Sequence, residues 1–100
     1  MDFENCQLDL SSFYKLNFSN RKFQSCSLKE VDFTETNLKN NLLENCNLQG
    51  ALFFGSNLEK VDFRTSYNFS IDPENNNIKK AKFSLTAIHG LLEKHQIEIL

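Results

Sequence analysis

The sequence predicts an all-β solenoid, in which a short unit repeats and stacks on itself, and three observations lead to this fold class. Every fifth residue from 3 to 63 is Phe or Leu, without an exception. A period of five fits neither an amphipathic helix, which repeats at about 3.6 residues, nor a half-buried strand, which repeats at about two. A unit that buries so little must be closed by stacked neighbours. The pattern ends near Ser84, where apolar residues take helical spacing instead.

Composition limits the function classes. One hundred residues form one small domain, and a net charge of −2 with a pI near 5.6 argues against an electrostatic nucleic-acid binder. No apolar run is long enough to span a membrane, and the start MDFENCQLDL lacks the basic and apolar regions of a signal peptide. We therefore expect a cytoplasmic protein with reduced cysteines and with neither direct nucleic-acid nor membrane contact.

Several five-residue units resemble a known family. The runs 37–39 (Asn-Leu-Lys), 51–53 (Ala-Leu-Phe) and 56–59 (Ser-Asn-Leu-Glu) are similar to the A-(D/N)-(L/F)-x-x unit of the pentapeptide-repeat family. The resemblance implies a right-handed quadrilateral β-helix with one unit per side and four units per coil. Residues 1–85 would form about four coils, with irregular sides at 66–75.

Such a fold places every fourth unit in the same column, and the sequence sorts like residues accordingly. One column of central residues is Phe13, Phe33 and Phe53, and another is Leu8, Leu28 and Leu48. Stacked rings and aliphatic chains would then form the core. The predicted core residues are Phe3, Leu8, Phe13, Phe18, Phe23, Leu28, Phe33, Leu38, Leu43, Leu48, Phe53, Leu58, Phe63, Ile78 and Phe83.

Two further columns recur at the spacing of one coil. The inward position two residues before each centre gives Cys6, Cys26, Cys46 and Ser66. A metal or redox site is one interpretation, but a straight row of thiols offers no tetrahedral cage and no His accompanies it at ligand spacing, so small buried fillers are favoured and no cofactor is expected. The outward column of Asn17, Asn37, Asn57 and Asn77 is expected to be structural, through amide bonds to the next coil or to turn backbone.

The pattern is interrupted at a few positions. Leu16, Arg21 and Asn41 occupy inward sites that suit small residues. We expect either a bulge within residues 14–22 or an Arg21 side chain that reaches out to water. Asn68 and Pro73 stand at central positions, which predicts a loose path there.

The C-terminal part, residues 86–100, is expected to form a capping helix and a strand-like tail. Leu85, Ile88, Leu91 and Leu92 are at helical spacing, which predicts an α-helix over about 86–94 that covers the last coil, with Ser84 or Thr86 as N-cap. This stretch resembles the C-terminus of quinolone-resistance-type pentapeptide proteins. The resemblance implies a homodimer with an interface at Leu91, Leu92, Ile97 and Ile99. The N-terminal coil has no such cap, so it either meets another chain or follows a longer solenoid.

No motif for catalysis is present: the sequence has no Gly-rich phosphate loop, nucleophile elbow or Cys-His arrangement at motif spacing. The resemblance implies instead a protein that mimics duplex DNA and binds DNA gyrase or topoisomerase IV. Lysines share the outward columns with the carboxylates, which dilutes a negative field. A second candidate surface is the apolar set Tyr14, Leu52 and Phe54, which either binds a partner or packs under a turn. The alternative function is a structural or truncated solenoid without topoisomerase activity.

Overall fold

A computed structural model describes residues 2–92 of the chain. Three short parallel strands, β1 (Phe3–Glu4), β2 (Lys22–Gln24) and β3 (Leu42–Glu44), form a sheet in the order β1-β2-β3, and a 3₁₀ helix spans Leu85–Leu91. The strands pair at a separation of four units, so that Phe3 lies opposite Phe23 and Phe23 opposite Leu43. Single parallel bridges extend the same register to the other sides and as far as residue 82. The chain is a solenoid, as the five-residue pattern predicts. Its handedness and its number of coils remain predictions.

A β-turn after each central residue forms the corners. In many of these turns the amide of residue i+3 donates to the carbonyl of the central residue, as in the 3.0 Å bond from Asn41 N to Leu38 O. The third residue of most turns has a positive φ, as in a type II turn, whereas Thr65 in the turn after Phe63 does not. Within the described chain, 13 of the 14 positive-φ residues lie at every fifth position, and Asn68 is the exception. Most of these 13 residues are not glycine, so the turns hold ordinary residues in left-handed backbone. The 13 residues are Asn5, Leu10, Lys15, Asn20, Ser25, Glu30, Glu35, Asn40, Asn45, Gly50, Gly55, Lys60 and Lys80.

The central residues fill the interior in columns. Phe33 stacks between Phe13 and Phe53, with ring centroids 5.3 and 5.2 Å away. The middle of the solenoid is fully enclosed: Phe23, Leu28, Phe33, Leu38, Leu43, Leu48, Leu58 and Phe63 have no exposed surface, and Phe13 and Phe53 are nearly buried. At the two ends the predicted core residues are only half-buried and pack against this cluster: Phe3, Leu8, Phe18, Ile78 and Phe83.

The inward position two residues before each centre also forms hydrogen bonds in several columns. A side-chain donor at this position reaches the carbonyl of the central residue 23 positions earlier, as Thr36 Oγ1 does to Phe13 O at 2.7 Å and Ser56 Oγ to Phe33 O at 2.6 Å. Ser66 Oγ bonds to Leu43 O in the same way. Ser and Thr therefore suit this site because they are small and also link consecutive turns.

Residues 66–75, where the sequence predicts irregular sides, bury other side chains than the five-residue period alone would select. Asn68 takes φ +62° and is exposed, whereas Phe69 and Ile71 are buried. The Phe69 ring lies 5.8 Å from that of Phe63 and 5.6 Å from that of Phe83. Burial of the Asn68 amide among apolar side chains without hydrogen-bond partners would be costly, and Asn tolerates left-handed backbone, so the neighbouring aromatic residue is buried instead.

The bulge expected within residues 14–22 is absent. Asn17 is bridged to Asn37, and Phe18 N donates to Asn37 O at 2.8 Å, so the register is kept. Arg21 is half-buried, with its guanidinium carbon 4.8 Å from the centre of the Phe18 ring, which agrees with the alternative of a side chain that reaches out. Leu16 stays 49% exposed, whereas Asn41 is buried and donates to two carbonyls, Phe18 O and Leu38 O, both at 2.9 Å.

The C-terminal helix is a 3₁₀ helix and not the predicted α-helix. Ser84 is its N-cap residue, without a side-chain cap bond. The side that faces the core carries Ala87, Gly90 and half-buried Leu91, whereas Leu85 is 86% exposed. A Cβ on Gly90 would lie 2.4 Å from Phe69 O, so the helix packs this closely only because residue 90 is Gly. A 3₁₀ helix has three residues per turn and this one has only seven residues, so the α-helical spacing of the apolar residues does not determine which side is buried.

Candidate interaction surface

Two neighbouring sides of the solenoid differ sharply in their outward residues. We call residues 11–15, 31–35, 51–55 and 71–75 the apolar–acidic side, and residues 16–20, 36–40, 56–60 and 76–80 the asparagine–lysine side. The apolar–acidic side has four carboxylates and one lysine, and the asparagine–lysine side has four lysines and one carboxylate. Left-handed corners occur at Lys15, Glu35 and Gly55 on one side and at Asn20, Asn40, Lys60 and Lys80 on the other, so over these turns the two sides differ in their outward residues.

The apolar–acidic side exposes two large apolar residues beside each other. Leu52 is 58% exposed and Phe54 is 61% exposed, on either side of buried Phe53. Glycines stand at both ends of this stretch, Gly50 with φ +74° and Gly55 with φ +66°. No side chain therefore rises from either corner. We call Leu52, Phe54 and the two glycine corners the Leu52–Phe54 patch.

Tyr14, the third residue of the predicted partner surface, lies apart from this patch. It is 46% exposed and shares a column with Phe54, but Thr34 lies between them. Two steps of about 4.8 Å separate the Tyr14 and Phe54 positions. The Lys15 amino nitrogen lies 5.3 Å from the centre of the Tyr14 ring. The structure thus brings Leu52 and Phe54 together and leaves Tyr14 outside the patch.

Carboxylates of the preceding turn border the patch. Asp32 is the bridge partner of Leu52 on the preceding turn, and its Oδ1 accepts a 2.9 Å bond from Thr34 N. A Cβ on Gly50 would lie 2.9 Å from Cγ of Glu30, and one on Gly55 would lie 3.3 Å from Cγ of Glu35. The two Glu side chains therefore lie over the bare corners. Glu30, Asp32 and Glu35 thus give the apolar centre an acidic rim on the preceding turn.

The two glycine corners and the Glu side chains over them were not among the residues predicted to be functional. Gly50 and Gly55 occur at the positions where the turns need a positive φ, and Glu30 and Glu35 come four units before them. Spacing alone would have placed each Glu over a Gly, because the register stacks every fourth unit.

A shallow hollow lies beside the Gly50 corner. Its volume is about 520 Å³, and Asp9, Leu10 and Lys29 line it together with residues of the patch rim. A 2.6 Å hydrogen bond from the Ser27 hydroxyl and a 2.9 Å bond from Lys29 N lower the pKa of the Asp9 carboxyl. Asp9 is thus held ionised by its neighbours, and the hollow has mixed charge.

The asparagine–lysine side joins turns through amides. Asn37 Nδ2 donates to Asn17 Oδ1 at 3.1 Å, and Asn77 Nδ2 donates to Asn57 Oδ1 at 3.4 Å. Each of these Asn side chains also accepts from the amide two residues later, as in the 3.1 Å bond from Lys39 N to Asn37 Oδ1. These are the two kinds of contact that the repeated Asn column predicts.

The lysines of this side are crowded. Lys39 Nζ lies 3.9 Å from a carboxylate oxygen of Glu59. Lys60 and Lys80 occupy equivalent corners on consecutive turns, and Lys60 N donates to Lys79 O at 2.9 Å. Among the described residues, Lys60, Lys79 and Lys80 form no ion pair. This corner is positively charged because both residues are lysines, and their like charges on adjacent turns repel each other.

A third side mixes the two signs. Arg64 binds both carboxylate oxygens of Asp62, which lowers the pKa of that carboxyl, and Lys22 lies 3.9 Å from Glu44. These pairs are largely exposed and contribute little to stability. Because each of these carboxylates has a cation beside it, this side does not form part of a continuous acidic strip.

The cysteine column is inside the protein. Cys26 and Cys46 are buried, Cys6 is half-buried, and all three are free thiols. Cys46 Sγ donates to Phe23 O at 3.4 Å, and burial raises the pKa of Cys46 to about 11. Within residues 2–92 no group of His, Cys, Asp and Glu is arranged to hold a metal ion. The three cysteines pack in the core as small apolar side chains.

The predicted dimer residues are only partly described. Leu91 is half-buried against the core, and Leu92 is also half-buried. Ile97 and Ile99 lie outside the described residues. Within the part of the chain that the structure describes, no helix is long and apolar enough to cross a membrane.

Comparison with known proteins identifies the repeat. The profile of the pentapeptide repeat region matches residues 1–68. The chain belongs to the pentapeptide-repeat family. Proteins of this family are generally structural or binding modules without catalytic activity. A search of curated protein sequences gave no significant match.

Solved structures with the same fold include HetL, a pentapeptide repeat protein involved in heterocyst differentiation regulation in the cyanobacterium Nostoc. It matches with a TM-score of 0.70 and 13% identity over 79% of this chain and 38% of its own. A trypsin-treated variant of QnrB1, a plasmid-mediated fluoroquinolone resistance protein, gives a TM-score of 0.45 and 18% identity over 99% of this chain and 70% of its own. The chain spans well under half the length of HetL, and at 13% identity the likeness to HetL concerns the fold.

Proposed function

We propose that the protein is a non-catalytic binding module that contacts another protein through the Leu52–Phe54 patch. The observation that carries this proposal is the exposure of Leu52 and Phe54, 58% and 61%, between two glycine corners. Inward residues already fill the core, so the fold gives no reason for apolar residues at these outward positions. Apolar residues in the centre of a polar rim are typical of protein contact sites.

A binding role also agrees with the closed interior. The middle of the solenoid is filled with Phe and Leu side chains that have no exposed surface, which leaves no room for a substrate there. The surface hollow beside the Gly50 corner is shallow and of mixed charge.

The test compares two variants that each remove exposed apolar surface. Leu52→Ser with Phe54→Ser removes the patch, and Leu85→Ser removes a similarly exposed residue on the 3₁₀ helix. We expect proteins that co-purify with the wild type to be lost with the patch variant and retained with Leu85→Ser. Both variants should unfold at the wild-type urea concentration. Recovery of the same proteins with the patch variant would refute the proposal.

A narrower candidate is a type II topoisomerase, DNA gyrase or topoisomerase IV, bound by mimicry of duplex DNA. Its support is the set of carboxylates on the apolar–acidic side, Asp32, Glu35, Asp72 and Glu74, with Lys15 as the one cation of that side. A gyrase supercoiling assay with a fluoroquinolone tests it. Protection at micromolar protein that is lost with Asp32→Asn and Glu35→Gln supports mimicry, and no protection refutes it.

Three related predictions belong to this proposal. The protein forms a homodimer through Leu91, Leu92, Ile97 and Ile99, it is cytoplasmic, and it contacts neither nucleic acid nor membrane directly. The competing hypothesis is a structural solenoid without a partner. In that case the patch variant would change neither co-purifying proteins nor assembly.

A further inference from the structure

We propose that the occupant of the Leu52–Phe54 patch is a second copy of this chain, bound through its asparagine–lysine side. The inference rests on the proposed role of the patch as a contact surface and names its partner. It follows from the opposite charges that the two sides carry.

The first step concerns charge. The rim of the patch carries Glu30, Asp32 and Glu35, with Lys29 beside Glu30 at the hollow and Lys15 as the one lysine of the apolar–acidic side. Carboxylates are in excess at the rim, so a partner that presents cations around an apolar contact complements it. Acidic or neutral partners would leave the rim carboxylates desolvated without compensation.

The asparagine–lysine side presents exposed lysines. Lys60, Lys79 and Lys80 are exposed and form no ion pair among the described residues. A lysine side chain has an apolar four-carbon stem below its ammonium group. The stems can pack on Leu52 and Phe54 while the ammonium groups reach the rim carboxylates, and a lysine over the Phe54 ring gains a cation–π contact.

The axial spacing of the two sides is compatible with this contact. Parallel bridges run from Ser12 through Asp32 to Leu52 on one side and from Asn17 to Asn77 on the other, so the bridged turns share one axial repeat. Lys60 and Lys80 are 20 residues apart, as are Glu30 and Gly50. Two solenoids side by side can therefore place lysines of one copy over the rim carboxylates of the other along a common repeat.

The contact joins different surfaces of the two copies, so it is heterologous. Each copy in a pair keeps one unused side of each kind, and assembly continues beyond two copies as concentration rises. A contact dominated by exposed charges weakens with salt, because the Debye length falls from about 10 Å at about 0.1 M to about 3 Å at about 1 M.

Sedimentation velocity over a range of concentrations tests the proposal at about 0.1 M and about 1 M NaCl. We expect the wild type to associate at low salt and to return to its smallest species at high salt. A homodimer through the C-terminal residues would persist in both conditions, which separates it from the lateral contact.

Charge reversal supplies the decisive comparison. Lys60→Glu with Lys80→Glu removes the basic corner, and Glu30→Lys with Glu35→Lys reverses the acidic rim. Left-handed corners of this protein already hold both Glu and Lys, so the backbone tolerates these exchanges. We expect neither double variant to associate alone, because its rim and its corner carry the same sign. An equal mixture of the two should associate, because the intact acidic rim meets the intact basic corner and the reversed rim meets the reversed corner. Glu4→Lys with Glu44→Lys, an equal charge change on a third side, should associate as the wild type does.

The outcomes distinguish this inference from the proposed function. If the mixture fails to associate, or if either variant alone behaves like the wild type, the second copy is not the occupant. If no association occurs but Leu52→Ser with Phe54→Ser still loses its co-purifying proteins, the inference falls and the patch remains a contact surface for another protein. If the patch variant changes neither readout, both fail.

Discussion

The apolar–acidic side and the asparagine–lysine side are built on the same backbone but differ in how their outward residues are used. On the asparagine–lysine side, amides of Asn17, Asn37, Asn57 and Asn77 bond between turns and to turn backbone. On the apolar–acidic side the corresponding positions include Leu52, whose side chain has no group for such a bond. Backbone bonds join the turns on both sides, as from Phe33 N to Leu52 O at 2.9 Å, so the side-chain amide bonds are an addition on one side, whereas the other exposes Leu52 and Phe54.

The largest expected effect lies beneath both sides. Phe33→Ala removes a fully buried ring stacked between two others, and we expect a loss of about 3–5 kcal/mol in the free energy of unfolding. Leu38→Ala, at the equivalent centre of the asparagine–lysine side, should cost about 2–5 kcal/mol. Urea unfolding followed by circular dichroism measures both. A loss below about 1 kcal/mol in either variant would contradict the packed core.

The corners should respond in opposite directions. Gly50→Ala places a Cβ 2.9 Å from Cγ of Glu30 at φ +74°, so we expect a loss of about 1–2 kcal/mol. Gly55→Ala, with 3.3 Å to Glu35, should cost less. On the other side, Lys60→Asn should stabilise by about 0.5 kcal/mol, because Asn tolerates left-handed backbone and the substitution relieves repulsion with Lys80. Thermal unfolding ranks the three, and equal shifts for all would remove the distinction between the corners.

The amide column should matter more than its exposure suggests. Asn37→Ala removes the bond to Asn17 Oδ1 and the bond from Lys39 N, and we expect a loss of about 1 kcal/mol. Leu52→Ser is the matched change on the apolar–acidic side and should stay within about 0.5 kcal/mol of the wild type. Urea midpoints of the two variants test the contrast, which disappears if Leu52→Ser is the more damaging change.

The smallest effect at neutral pH belongs to the cysteine column, which lies on neither side. Burial raises the pKa of Cys46 to about 11, so the folded state holds this proton more tightly than the unfolded chain. The stabilisation is fully present below the unfolded thiol pKa of about 8.5 and is lost as pH rises towards the folded value. Urea midpoints at neutral pH and near pH 10 should differ less in Cys46→Ser than in the wild type. An unchanged difference would show that Cys46 does not carry this dependence.

The repeat made the core and the register predictable because one period governs both. A Phe or Leu at every fifth position identifies the centres, and stacking of every fourth unit assigns their columns. The period does not identify the buried residues where local chemistry overrides it. Irregular sides were predicted at 66–75, but the burial of Phe69 and Ile71 in place of the exposed Asn68 was not. Gly90 permits a close contact with Phe69 that α-helical spacing does not anticipate.

The candidate surface was predictable only in part, for a similar reason. Leu52 and Phe54 stand out because they break the polar rule for outward positions. Their acidic rim depends on corner geometry: Glu30 and Glu35 extend over Gly50 and Gly55, which requires knowing which residues adopt positive φ. Spacing identifies a column, and turn conformation decides which side chains of neighbouring columns meet.

The constant register also sets the lengths by which this chain can change during evolution. Nearly every bridge between turns joins a residue to its equivalent four units later, so gain or loss of four whole units leaves aromatic on aromatic and amide on amide. Gain or loss of a single unit keeps inward residues inward but rotates everything that follows by one side. The aromatic column would then continue on an aliphatic one, and Leu52 and Phe54 would lie over different neighbours. Duplication of whole turns is thus the change that lengthens the protein while it preserves each of its surfaces.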